Sequence, residues 1–143
     1  MTYSLLAGIG LLLLLTASTM TDIRNRTIPL GLCLLFSLFI IALQLIFSHG
    51  LIFLLSHVLV GALLFILFLV NALFFHGGGG DCILAFCIGL ALGLPAGLCI
   101  TLFSCTAMVL YHLLIPHKQR HYPMAPAMLL GTVIYFIFSG GFL

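Results

Sequence analysis

Asp22 and Asp81 are the only acidic residues in this chain of 143 residues, and each stands at the edge of a long apolar run. An aspartate costs about 2.5–3.5 kcal/mol at the centre of a membrane helix, so such residues usually have a function. Two carboxylates held close together do not both ionise easily, and they share a proton. The ionised member can deprotonate a water molecule while the protonated member polarises a peptide carbonyl. The pair therefore predicts aspartic proteolysis, if the fold brings the two residues together.

Asp81 also ends a run of four glycines that begins after His76. A glycine inside a helix costs roughly 1 kcal/mol relative to alanine, which indicates a break between two helices here. Two simpler roles for the acids stay open. Asp22 can form an ion pair with Arg24 or Arg26 at a helix end, and Asp81 can act as the N-cap of the helix that follows.

The composition is that of an integral membrane protein, with 64% hydrophobic residues, 4% charged residues and a mean hydropathy of +1.45. A soluble domain has roughly a quarter of its residues charged. Each membrane-spanning helix needs about 20 residues, so the chain has room for six spans and short connections. We expect one domain over residues 1–143, with no separate soluble domain. The expected environment is a lipid bilayer, and no nucleic-acid partner is expected.

The polar breaks predict an all-α bundle of six transmembrane helices. The expected spans are residues 4–20, 28–47, 51–75, 81–94, 96–115 and 124–142. Pro95 separates the fourth span from the fifth, because proline continues a helix poorly. The fourth span has a length of only about 21 Å at 1.5 Å per residue, less than the roughly 30 Å of a bilayer core. This shortness predicts that Asp81 lies in a recessed site that water can reach.

The basic residues predict the orientation of the bundle. All four lie in the first and fifth connections between the predicted spans: Arg24, Arg26, Lys118 and Arg120. The positive-inside rule places both connections in the cytoplasm. With six spans, the third connection, which contains the glycines, is cytoplasmic too. Asp22 and Asp81 are therefore expected on the same side of the membrane.

No metal or cofactor is predicted. The five cysteines form no C-x-x-C pair. Three histidines lie near the fifth connection, but they have no carboxylate or thiolate beside them to complete a metal site. They are His112, His117 and His121. His57 is expected to have a structural role on the opposite side of the membrane.

Three segments resemble the motifs of the type IV prepilin peptidases. Residues 22–29 resemble the D-x-R-x-x-x-I-P signature of that family, and residues 78–81 match its G-x-G-D motif, which presenilin-like intramembrane proteases share. Residues 121–126 resemble the P-x-x-P segment that opens the family's last span. The order and spacing of the three segments are those of the family, over essentially the whole chain.

This resemblance implies a GxGD-type aspartic endopeptidase that removes the leader peptide of prepilin or pseudopilin precursors at the cytoplasmic face of the bacterial inner membrane. Asp22 and Asp81 correspond to the two catalytic aspartates of the family, which uses no cofactor for proteolysis. The chain is similar to small single-domain members, such as those of Tad-type pilus systems. Because it lacks the paired C-x-x-C motifs of the bifunctional members, no methyltransferase domain is expected. The resemblance and the charges together suggest a set of residues that bind substrate or support the site: Gly78, Gly80, Arg24, Arg26, Pro29, Pro123 and Pro126.

Two departures from the family pattern keep other functions open. Leu30 replaces a frequent asparagine, and Ile83 replaces a frequent lysine. The absent lysine is compatible with a catalytically weak scaffold of the same fold. A small transporter or proton-relay subunit is a further alternative, because intramembrane acids also mark ion pathways.

Overall fold

A computed structural model of the chain describes residues 2–25, 27–47, 50–75, 78–114 and 124–139, and these residues form five α-helices without a β-strand. The helices are α1 (Thr2–Asn25), α2 (Leu30–Ile46), α3 (Gly50–Phe75), α4 (Gly79–Leu114) and α5 (Ala125–Phe138). The predicted all-α class is therefore confirmed.

Three of these helices, α1, α3 and α4, are long and apolar enough to cross a membrane. The other two are apolar but shorter, with 17 residues in α2 and 14 in α5. Large apolar side chains are exposed along the helices, as expected where lipid rather than water surrounds the protein. The chain is a membrane protein, and the count of six spans stays a prediction.

A break at Gly93 divides α4 into two helical segments, 79–92 and 94–114. The backbone of Gly93 has φ 76° and ψ −170°, a conformation open essentially to glycine alone. A methyl group added to Gly97 would lie 3.7 Å from the Cα of Gly89, whereas residues eight apart in a straight helix are about 12 Å apart. The chain therefore folds back at Gly93, close to the predicted boundary between the fourth and fifth spans.

Helix α1 continues past its predicted end at residue 20 and includes Asp22 and Arg24. The polar stretch that was predicted to be a connection contains no helix breaker before Pro29. The ring of a proline clashes with the helical conformation of the residue before it, so Ile28 cannot easily continue the helix. Asp22 is consequently held on a helix, and the connection to α2 is short.

Glycines allow the helices to approach closely, which is how membrane helices commonly associate. A methyl group on Gly89 of α4 would lie 2.7 Å from the Cα of Gly61 on α3, so the two backbones are nearly in contact. In the second segment of α4, a methyl group on Gly131 of α5 would lie 2.8 Å from the carbonyl oxygen of Ile100. Helix α4 is therefore packed tightly between α3 and α5.

The break in α4 also releases backbone carbonyl groups inside the bundle. Pro95 has no backbone N–H to donate to the carbonyl of Ala91, four residues earlier. The non-helical Gly93 interrupts the hydrogen-bond ladder beside it. Such groups need other donors in an environment without water.

Three other helices supply those donors. The Tyr3 hydroxyl of α1 donates to the Ala91 carbonyl at 3.1 Å, and Nε2 of Gln44 on α2 donates to the Leu90 carbonyl at 3.1 Å. Nε2 of Gln44 also donates to the Tyr3 hydroxyl at 2.8 Å. Nδ1 of His57 on α3 is 3.0 Å from the Leu90 carbonyl oxygen. We call these three side chains and two carbonyls the kink cluster.

Candidate active site

Asp22 is almost completely buried near the C-terminal end of α1, with 8% of its surface exposed. Its Oδ2 accepts a hydrogen bond of 3.3 Å from the backbone N–H of Ala125, the first residue of α5. The backbone N–H groups at a helix N-terminus carry partial positive charge and stabilise an anion. The carboxylate of Asp22 is thus anchored to a second helix and does not simply project into the membrane interface.

Asp81 lies in the first turn of α4 and is partly buried. Its backbone N–H donates to the carbonyl of Gly78 at 3.2 Å, which forms a turn at the helix start. A methyl group on Gly78 would lie 3.2 Å from Oδ2 of Asp81. Glycine at position 78 therefore leaves space beside the carboxylate.

The two carboxyl groups lie at the same end of the bundle, close enough for a direct Coulombic interaction. Asp22 belongs to the end of α1, whereas Asp81 and Ala125 belong to the beginnings of α4 and α5. We call the two carboxyl groups and the Ala125 amide the acid site. The fold brings together two residues that are far apart in the sequence, as the prediction of a carboxylate pair required.

Gly80 fixes the position of the α4 start against the connection that follows α1. A methyl group on Gly80 would lie 2.8 Å from both Cβ and Cδ1 of Ile28, so the Ile28 side chain packs directly on the glycine backbone. The next residue, Pro29, precedes α2, and its carbonyl accepts the backbone N–H groups of Leu32 and Cys33 at 3.0 and 3.3 Å. The connection that follows Asp22 is therefore packed against the residue that precedes Asp81.

The sequence model of the type IV leader peptidase family matches residues 9–113. The chain belongs to this family. The match includes Asp22 and Asp81 and ends within α4, so Ala125 lies beyond it. No curated protein and no solved structure matches the chain. The predicted family is confirmed, and it is a family of peptidases.

Two of the remaining predicted site residues of this leader peptidase family member lie on helices that form the acid site. Arg24 is exposed at the end of α1, and Pro126 lies in the first turn of α5, next to Ala125. Arg26 and Pro123 lie outside the described residues, as does His76. The catalytic roles of the two aspartates and the supporting roles of the other residues stay predictions.

No group of three His, Cys, Asp or Glu side chains that is able to hold a metal ion occurs among the residues that the structure describes. His117 and His121 lie outside them, and the side chain of His112 is not described. All five cysteines are free thiols. The described part of the acid site offers two carboxylates and backbone N–H groups, which suit acid–base chemistry on a water molecule.

Three features at this end of the bundle escaped the sequence analysis. One is the Ala125 amide, because a backbone group leaves no signal in the sequence. A second is the contact between Ile28 and Gly80, which depends on tertiary packing. The third is a pair of hydroxyl residues, Ser18 and Thr19, one turn before Asp22 on α1. Their spacing of four and three residues from Asp22, which is one helical turn, could have identified them in the sequence.

Proposed function

We propose that this chain is an aspartic endopeptidase that hydrolyses the leader peptide bond of prepilin-type precursors. The observation that carries the proposal is that the carboxyl groups of Asp22 and Asp81 interact electrostatically at one end of the bundle. The chain that contains them belongs to the type IV leader peptidase family. Aspartic proteolysis requires two neighbouring carboxyl groups that differ in protonation. The chain has no third acidic side chain to take either role.

Asp22 is the better candidate for the general base. The Ala125 N–H and the α5 N-terminus stabilise negative charge on its carboxylate. The ionised Asp22 removes a proton from a water molecule, and the water oxygen attacks the carbonyl carbon of the scissile peptide bond. The result is a tetrahedral intermediate with an additional carbon–oxygen bond.

Asp81 then acts as the general acid. In its protonated form it donates a hydrogen bond to the carbonyl oxygen and stabilises the charge that develops there. Breakdown of the intermediate cleaves the carbon–nitrogen bond, and the leaving nitrogen takes up a proton from the acid pair. The products are a new carboxyl terminus on the leader and a new amino terminus on the mature protein.

The position of the acid site indicates how a substrate approaches. We propose that the site faces the cytoplasm at the bacterial inner membrane, because Arg24 and Arg26 follow Asp22 directly. A polar leader then lies on the cytoplasmic side, while the apolar helix of the precursor stays in the bilayer beside the enzyme. Proteolysis of this kind needs no separate soluble domain.

The test is cleavage of a purified prepilin by the purified chain in detergent or lipid. We expect the wild-type chain to remove the leader, and Asp22→Asn and Asp81→Asn each to reduce kcat by about 10²–10⁴-fold. Asn25→Ala, at the exposed end of α1, is the control that keeps activity. Cleavage that survives both aspartate substitutions would exclude this mechanism.

The same protein preparations distinguish the alternatives. A proton flux in proteoliposomes that is lost in Asp81→Asn, without any cleavage, would support a proton-relay subunit. Binding of the leader without cleavage by the wild-type chain would support a scaffold of the same fold.

A further inference from the structure

Hydroxyl side chains in these helices generally bond to their own backbone. Each of them donates to a carbonyl three or four residues earlier, a common arrangement inside helices. The residues are Thr16, Thr21, Ser37, Ser56, Thr101, Ser104, Thr106, Thr132 and Ser139. Their polar groups are thereby satisfied without any partner from outside the helix.

Ser18 and Thr19 are different, because their buried hydroxyl oxygens have no hydrogen-bond partner among the described residues. Ser18 is completely buried, with 0% of its surface exposed. A buried hydroxyl without a partner is unfavourable. The carbonyls of the preceding turn are within the reach that Thr16 and Thr21 use on the same helix. Two neighbouring exceptions therefore indicate that these hydroxyl groups have another purpose.

Their position on α1 places them below the carboxyl group of Asp22. Side chains of an α-helix extend toward its N-terminus, so a residue covers the turn that precedes its own Cα. That turn holds Ser18, four residues before Asp22, and Thr19, three residues before it. At about 100° per residue, Asp22 projects between the directions of the other two side chains.

We propose that Ser18 and Thr19 are positioning residues of the peptidase reaction, whose hydroxyl groups hydrogen-bond to the Asp22 carboxyl group through one water molecule. The inference rests on the proposed function. Of the described donors, the Ala125 N–H binds Oδ2 of Asp22, and a carboxylate can accept further hydrogen bonds at Oδ1 and at the second lone pair of Oδ2. Hydroxyl donors below the carboxylate would fix its orientation and that of the water molecule which it deprotonates.

Matched substitutions test the kinetic part of this proposal. Ser18→Ala and Thr19→Val remove the hydroxyl groups and keep similar volumes. Each is expected to lower kcat for leader cleavage roughly 10- to 100-fold, the usual effect of one hydrogen bond to a charged group, while KM stays within about twofold. The controls are Ser104→Ala and Thr132→Val, whose hydroxyl residues are completely buried but bond to their own helix. These are expected to leave kcat unchanged.

The presence of only two acidic side chains allows a direct readout that does not depend on activity. The protein is labelled with ¹³C-aspartate, and its NMR spectrum shows two side-chain carboxyl signals. Each signal is assigned by its disappearance in Asp22→Asn or in Asp81→Asn. Ser18→Ala is expected to move the Asp22 signal and leave the Asp81 signal in place. Ser104→Ala is expected to move neither signal.

The outcomes separate the inference from the proposed function. If the wild-type chain cleaves no precursor, the proposed function fails and the positioning role fails with it. If the wild-type chain cleaves but Ser18→Ala and Thr19→Val keep full kcat, or the Asp22 signal does not move, only the inference is wrong. If the variants lose kcat, show an equal rise in KM and unfold at a lower temperature, the two residues have a purely structural role. That result would also overturn the inference.

Discussion

The acid site and the kink cluster are two polar regions within the same apolar bundle, and they differ in how many of their hydrogen-bond donors are paired within the described structure. In the kink cluster, Tyr3, Gln44 and His57 hydrogen-bond to carbonyls that the break in α4 releases. In the acid site, Asp22 accepts a hydrogen bond of 3.3 Å from Ala125, and the buried hydroxyls of Ser18 and Thr19, one turn away, have no partner among the described residues.

This difference is the one expected between a structural polar region and the reactive site that we propose. A network whose hydrogen bonds are made within the protein stabilises one arrangement of helices. A site that performs chemistry has to keep donors and acceptors for water and substrate. We therefore expect substitutions in the acid site to change turnover more than stability, and substitutions in the kink cluster to do the reverse.

Among the variants outside the two aspartates, the largest effect is expected for Gly80→Ala. The new methyl group would lie 2.8 Å from Ile28, so the start of α4 and the connection after α1 have to separate. Asp81 moves with the helix, and a displacement of about 1 Å in an active site lowers the rate by up to roughly 10²-fold. The measurement is kcat for leader cleavage. Gly79→Ala is the control, because a methyl group there meets nothing within 4 Å. Equal losses in both variants would contradict the proposed geometry.

Gly93→Ala is expected to reduce stability and not turnover. Alanine is strained at φ 76°, at a cost of roughly 1–3 kcal/mol, and its methyl group would lie 3.1 Å from Nε2 of His57. Thermal unfolding in detergent measures the loss. The control is Gly31→Ala in α2, where a methyl group meets nothing within 4 Å and the change is expected to stabilise the helix by up to about 1 kcal/mol. A loss of kcat in the folded Gly93→Ala protein would remove the distinction between the two regions.

Gln44→Met has a smaller expected effect, again on stability. The substitution removes the donor to the Tyr3 hydroxyl and to the Leu90 carbonyl, while His57 still interacts with that carbonyl. The net loss is expected to be about 1 kcal/mol, because Oε1 of Gln44 is itself buried without a partner in the described structure. The unfolding temperature reports it, and kcat should equal that of the wild-type chain.

The smallest effect is expected for Tyr3→Phe, which removes a single hydroxyl from the kink cluster. Hydrogen bonds between membrane helices contribute about 0.6 kcal/mol on average. Because Tyr3 and Gln44 are hydrogen-bonded to each other, the double variant with Gln44→Met should lose less stability than the sum of the two single losses. Additive losses would show that the kink cluster does not act as a network.

Much of the fold was predictable because membrane insertion leaves a strong signal in the sequence. Continuous apolar runs indicated helices, and Pro95 indicated a break that the structure places at Gly93. The end of α1 was predicted too early, because polarity was taken to mean a connection although no helix breaker precedes Pro29. The bonds of Gln44 and His57 were not predictable, because they depend on which carbonyls the break releases and which helices lie beside them.

For the acid site, the sequence by itself determined which acidic groups are available. Only two side chains in the chain are acids, and the motifs around them identified the family. Tertiary structure alone decided their surroundings, namely the Ala125 amide that binds Asp22 and the contact of Ile28 with Gly80. The physical reason is that residue type fixes which proton transfers are possible. The distances between groups from different helices arise only when those helices pack.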